Sequence, residues 1–249
     1  MTFDLSTTDI GFLCVIIEQP FPLFIEDPFA DYSPEKMERE WISFCERSFS
    51  KGFLKLNEEG NPYITDHLMQ HLVGIFTAEQ VISVIENEEI RTVIYTGEST
   101  EKNVVVKVYP EHYSLSLVTS EGFHSELLSV ATDTNNEINQ LNEFQLEVSL
   151  ADFEKLLEIL SEQGTDALFT YCEYMNLPAK SVSTILSAVH SQNTTVYLTE
   201  NLRHRETKMT VAANDSGKIK TATTVYSAAG DKVILRETQL GNLPLLLTS

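Results

Sequence analysis

The 249-residue sequence predicts an α+β fold: two similar helix-then-antiparallel-sheet halves related by a pseudo-twofold, with helical bundles flanking a central sheet. Three observations predict it. Residues 81–95 (VISVIENEEIRTVIY) sit over residues 196–210 (VYLTENLRHRETKMT), each an apolar strand, a charged turn and a second strand. Helix-period segments precede both stretches, and β-branched runs follow both. The spacing of the two, above about a hundred residues, is too long for a solenoid unit and instead divides the chain into halves. The division reads as an N-terminal half 1–131, a polar linker 132–146 and a C-terminal half 147–249. The linker is marked by the amide-rich run TDTNNEINQLNE.

The elements follow in order. Ile10, Leu13 and Ile17 recur at helical spacing, with Thr8 as the cap of a helix over 8–17. QPFPLF at 19–24 is extended, because each proline disfavours helix in the residue before it. Ser33-Pro34-Glu35 starts a helix that buries Met37, Trp41, Phe44 and Phe49 and stops before Gly52. The turn NEEGNP (57–62) leads to a helix capped by Thr65 or Asp66, with Leu68, Met69, Leu72 and Ile75 inside. Four strands then run over 81–85, 90–95, 104–109 and 113–118. Thr77-x-x-Gln80 has the form of a capping box, but the strand is preferred because its counterpart at 195–199 is strand-like. A short helix at 122–130 closes the first half. In the second, helices start at Ser149-x-x-Asp152, at Asp166 and at Ala179. Strands follow at 195–199, 205–213, 218–227 and 231–237, with hairpin turns at 214–217 and 228–231. The apolar C-terminus LGNLPLLLTS is expected to dock against the body, since free it would aggregate.

Charge bounds the partners. The net charge is −20, and it is uneven: residues 1–150 carry 8 Lys/Arg against 26 Asp/Glu, residues 151–249 carry 9 against 11. Such a surface repels phosphate backbones and anionic lipid, so neither nucleic acid nor a membrane is an expected partner. The helix that starts at Thr65 or Asp66 also lacks the Lys and Arg that a winged-helix recognition element needs. No run reaches the ~20 apolar residues of a membrane span. Ile10–Ile17 is too short and lacks the basic flank of a signal peptide, so the expected location is the cytoplasm. Cys14, Cys45 and Cys172 are odd in number and far apart, and each is expected to be a buried small hydrophobe.

The sequence carries no concentrated chemistry. It has no G-x-S-x-G, no P-loop and no G-x-G-x-x-G, so no catalytic residue and no cofactor is assigned and the chain is read as a non-enzyme. His67 and His71 lie four apart, a metal-ligand spacing without a third ligand, and are read as a surface pair. His204, between Arg203 and Arg205, is read as a solvated hairpin or a docking contact. The pairs Glu58-Glu59 and Glu88-Glu89 lie in turns, which rarely shift carboxylate pKa values apart. Phe169, Tyr171, Tyr174 and Met175 go around more than one face of their helix. That leaves two readings open, burial between layers and a groove for a partner helix.

The order of features resembles the EspG family, cytosolic substrate-specific chaperones of type VII secretion. The resemblance is carried by an N-terminal helix followed by Pro20-Phe21-Pro22-Leu23, the charged helix to Trp41, SKGFLKLNEEGNPYITDHLMQHL at 50–72, the sheet opening VISVIENEEIRTVIY, and a second α-then-β half. The Lys/Glu/Asn/Ile-rich composition fits a divergent, Firmicutes-type relative. The resemblance implies a monomer or weak dimer that binds helical-hairpin secreted substrates and keeps them soluble before export. It implies a contact surface on Gly97–Asn103, with Glu98, Glu101 and Lys102, and on the helices spanning 166–190, with Phe169, Tyr171, Tyr174 and Met175. The charge supports a competing expectation, an acidic immunity protein that neutralises a basic secreted toxin.

Overall fold

In the computed structural model, the chain is described over residues 1–22, 25, 27–97, 103–131, 144–191, 194–215, 218–226 and 230–248. It is an α+β protein with a large sheet whose strand pairs are antiparallel. Two compact units divide it: Met1–Glu79 with Thr92–Ser120, and Gln80–Arg91 with Glu121–Ser249.

Unit 1 opens with β1 (Thr2–Leu5), a strand too short to show in the sequence, and α1 (Thr7–Ile16). Ser6, not Thr8, caps α1. Its Oγ accepts the Asp9 N–H at 3.1 Å, and Asp9 Oδ2 accepts the Ser6 N–H at 3.1 Å, a reciprocal capping box. Asp9 also receives Arg47 Nη2 at 2.9 Å, tying α1 to α2 (Pro34–Lys51). Ser33 caps α2, and Gly52, in the left-handed region at φ 71°, ends it. Of the four residues expected to be buried in α2, only Phe44 is; Met37 and Trp41 are half-buried and Phe49 is 39% exposed. The turn NEEGNP joins a small hairpin, β2 (Leu54–Leu56) with β3 (Pro62–Ile64). Then comes α3 (Asp66–Phe76), preceded by Thr65. The Thr65 hydroxyl donates to the Gly52 and Phe53 carbonyls rather than capping the helix.

Gln80–Glu86 is a strand (β4), not a helix. A two-residue turn at Asn87 and Glu88, both at positive φ (51° and 66°), leads into β5 (Glu89–Thr96), which passes from unit 2 into unit 1. Unit 1 is completed by β6 (Asn103–Val108) and β7 (Tyr113–Val118), in the strand order β1-β7-β6-β5. Phe3, Leu5, Leu13, Phe44, Leu68, Leu72, Ile94 and Leu115 form its buried centre.

Unit 2 holds α4 (Ser120–Ala131), β8 (Phe144–Ser149), α5 (Leu150–Gln163), α6 (Thr165–Tyr174), α7 (Ala179–Val189), β9 (Thr195–Asn201), β10 (Glu206–Asp215), β11 (Lys218–Tyr226) and β12 (Lys232–Gln239). A 3-10 turn (Leu240–Asn242) and α8 (Leu243–Thr248) follow. Its strand order is β4-β9-β10-β11-β12-β8. Most of the expected linker lies outside the described residues, but Phe144–Leu146 belong to β8, which pairs with β12 through Leu146↔Leu235. α5, α6 and α7 cover one face of this sheet through Leu156, Leu168, Cys172, Val182, Ile185 and Leu186, packed on Ala222, Val233 and Leu235. Side chains alternate along a strand, so Thr221, beside Ala222, turns to the opposite face. The C-terminus does dock: Leu243 and Leu247 are buried, and Gln80 Nε2 donates to the Leu247 carbonyl at 2.8 Å.

Candidate functional site

The candidate surface is the outer side of α6. Leu168 and Cys172 point this helix into the core, and Tyr171 and Leu177 pack around them half-buried. At 100° per residue, the arc opposite Leu168 and Cys172 carries Asp166, Thr170, Glu173 and Tyr174, with Phe169 on its flank. Phe169 is 37% exposed and Tyr174 84% exposed. The two rings are thus presented to solvent, separated by polar residues and not joined in a continuous apolar strip. Tyr171 belongs to the packed side.

Met175, the residue that ends α6, is 37% exposed and lines a neighbouring cleft of about 540 Å³ with Leu177 and Val148. The cleft's polar wall comes from the start of α5 and the β8–β12 pair. Ser149 Oγ donates to Asp152 Oδ2 at 2.6 Å and accepts the Asp152 N–H at 3.1 Å, while Lys232 Nζ pairs with Glu147 Oε2 at 3.2 Å. Structure therefore leaves Phe169 and Tyr174 exposed but about 140° apart around α6, and places Met175 in a mixed cleft beside it. Glu98, Glu101 and Lys102 lie outside the described residues.

Burial pushes the Cys14 thiol up to about 11 and also raises Cys172 and Cys45, so all three are poor nucleophiles at neutral pH. Cys45 is half-buried, less enclosed than expected. Among the described residues no group of three His, Cys, Asp or Glu side chains is placed to hold a metal. The His67–His71 pair is not a surface pair. His67 is exposed, but His71 is buried edge-on against Phe3, its Nδ1–H donating to the His67 carbonyl at 2.8 Å. His204 sits on an exposed turn in which Asn201 Oδ1 accepts the Arg203 and His204 N–H groups. No helix among the described residues is long and apolar enough to cross a membrane.

Sequence reasoning missed a second surface. Met37 and Trp41, expected in the core, instead line an open groove between α1 and α2 with Phe12 and Val15. The signal was available in Val15, an apolar residue off the Ile10, Leu13 and Ile17 spacing, which is exposed and lines the groove.

No protein-family model matches the chain, and no curated protein matches it in sequence. In structure it is similar to the Mycobacterium tuberculosis type VII secretion system chaperone EspG5, solved in complex with a PE25–PPE41 dimer. The match covers 99% of this chain and 93% of that one, with a TM-score of 0.59 at 10% sequence identity. The chain thus has the fold of a type VII secretion chaperone.

Proposed function

We propose that this protein is a cytoplasmic substrate-binding chaperone or adaptor of a type VII (ESX-like) secretion system, which holds helical-hairpin secreted proteins soluble before export. The observation that carries this reading is the likeness to EspG5 along 99% of the chain, because a match of that extent leaves no large unmatched part to house a separate activity. EspG5 is a chaperone rather than an enzyme, and the raised thiol pKa values fit a protein that acts by binding. The proposed contact surface is α6 with Phe169 and Tyr174, the adjoining Met175, Tyr171 at the packed edge, and the segment bearing Glu98, Glu101 and Lys102. The same reading takes the chain as a duplicated plan, halves 1–131 and 147–249 about a pseudo-twofold. It acts as a monomer or weak dimer without cofactor.

The test is co-expression of the tagged protein with the small helical proteins encoded beside its gene, eluted at low and high salt. A complex that survives high salt and weakens with Phe169→Ala or Tyr174→Ala supports the reading. Capture only of a basic toxin, lost at high salt, identifies an acidic immunity protein instead.

A further inference from the structure

The groove between α1 and α2 in unit 1 is apolar almost throughout. Phe12, Val15, Phe29, Pro34, Met37 and Trp41 wall an open trough of about 590 Å³. Val15 is 57% exposed within it. The floor is fixed by ring packing: Phe12 lies 4.7, 5.3 and 5.1 Å from the ring centroids of Phe29, Trp41 and Phe44. Gly11 permits this closeness, since a Cβ there would stand 2.6 Å from Pro28 Cγ and 2.8 Å from Phe29 Cζ. A preformed trough with an adaptable methionine suits the apolar face of an amphipathic helix.

Charge selects which helix. Among the described residues, Glu38 is the one charged residue lining the trough. Residues 27–41, which supply a wall, carry Asp27, Asp31, Glu35, Glu38 and Glu40 against Lys36 and Arg39. Both cations are engaged locally: Lys36 Nζ lies 3.7 Å over the Tyr32 ring, and Arg39 Nε donates to the Glu35 carbonyl at 3.3 Å. Asp27, Asp31, Glu35 and Glu38 are exposed. An apolar trough with Glu38 in its lining and four more carboxylates in the segment that walls it attracts a basic partner, whereas a second copy of this chain, itself at −20, is repelled. We propose that the α1–α2 groove docks a basic amphipathic helix of another protein. The site lies in unit 1, away in sequence from α6, and does not depend on the function proposed for that helix.

Trp41 is the single tryptophan of the chain, so its emission reports occupancy of the groove. The full chain is titrated with an amphipathic helical peptide of leucine and lysine, and with its leucine and glutamate counterpart. The expected result is a saturable blue shift with the lysine peptide and none with the glutamate one. Val15→Glu, at an exposed position that spares the fold, should weaken binding by more than about tenfold, because it places a carboxylate against the apolar face of the ligand. Glu38→Lys should weaken it about three- to tenfold and flatten its salt dependence. Tyr174→Ala should leave it unchanged. The proposal is overturned by an absent shift, by equal responses to the two peptides, by wild-type binding in Val15→Glu, or by a loss in Tyr174→Ala matching that in Val15→Glu.

Discussion

α7 in unit 2 and α2 in unit 1 are both amphipathic, yet one closes its apolar stripe and the other leaves it open. Val182, Ile185 and Leu186 of α7 are all buried, against the β-sheet cluster of Ala222, Val233 and Leu235. On α2, Phe44 alone of the large apolar residues is buried, while Met37 and Trp41 line an open trough beside α1. The difference lies in what faces the stripe. A sheet offers a broad floor that a helix covers, whereas two helices touch along a line and diverge from it. Leu186→Ala should therefore cost about 2–5 kcal/mol, the range for a leucine emptied from a closed core. Met37→Ala should cost under about 1 kcal/mol, since solvent already reaches it. Urea titrations of the two variants measure both, and equal losses would erase the contrast.

The same contrast applies to glycines. A Cβ on Gly74 would stand 2.5 Å from Val104 Cγ2, and Val104 is buried in the middle of unit 1. A Cβ on Gly11 meets Pro28 Cγ at 2.6 Å and the Phe29 ring at 2.8 Å, both half-buried in the segment that walls the open trough and can give outward. Gly74→Ala should cost about 1–3 kcal/mol as an overpacked core position. Gly11→Ala should cost less and report itself as a red shift of Trp41 emission when Phe29 gives way. A larger loss for Gly11→Ala would mean that the trough wall is as rigid as the core.

These pairs also explain what was legible in the sequence. Ser33-Pro34 and Gly52 mark the ends of α2 because caps are local chemistry, and Ala179–Val189 is α7 residue for residue. β1 and β8 were not legible. Four residues of TFDL cannot establish a period, and FQLEVS runs on from a polar segment, so its alternation was absorbed into the linker. Spacing shows which residues share a helix face but not whether another element covers that face; hence Met37, Trp41 and Phe49 were expected inside. His71 failed in the opposite sense, because a histidine at helical spacing from Leu68, Leu72 and Ile75 shares their stripe and is drawn in with it. Of the candidate site, the exposed rings Phe169 and Tyr174 could be read from their excess over one apolar stripe. Thr170 and Glu173 stand between them, so the two rings form no continuous apolar strip on α6. The chaperone-like fold was legible only as an order of features, since at 10% identity few individual positions carry it.

A smaller effect separates the two faces of the unit 2 sheet. The face under α7 packs Ala222, Val233 and Leu235 and carries the buried Thr224 beside them. The opposite one buries Tyr197, Thr199, Thr210 and Thr221, and the Thr221 hydroxyl has no hydrogen-bond partner among the described residues. A buried hydroxyl left unpaired carries its desolvation cost without return. Thr221→Val keeps the shape and removes that group, so it should stabilise by about 1 kcal/mol. Thr210→Val is the control: its hydroxyl lies 3.2 Å from that of Thr223, and removing it should give no gain. Equal gains from both would mean that β-branched shape, not hydroxyl pairing, sets the stability of this layer.

The faintest contrast is a pH dependence confined to unit 1. His71 is the buried histidine among the described residues, and burial holds its imidazole below the usual histidine value. The unfolded chain binds that proton near the ordinary value of about 6.5, the folded chain only at lower pH. The neutral ring thus contributes stability that is fully present above about pH 6.5 and is lost as pH falls from there through the folded value. Urea melts followed by Trp41 emission at pH 7.5, 6.5 and 5.5 should show this decline in the wild type. His71→Leu removes the titrating group along with the hydrogen bond to the His67 carbonyl. Its stability should be offset from the wild type by a constant above pH 6.5, and that gap should shift in the variant's favour below it. Carboxylates that titrate in the same range act on both proteins alike and cancel in the difference. Parallel curves for the two proteins down to pH 5.5 would show that the folded chain binds the proton over the same pH range as the unfolded chain, and so that burial does not depress it.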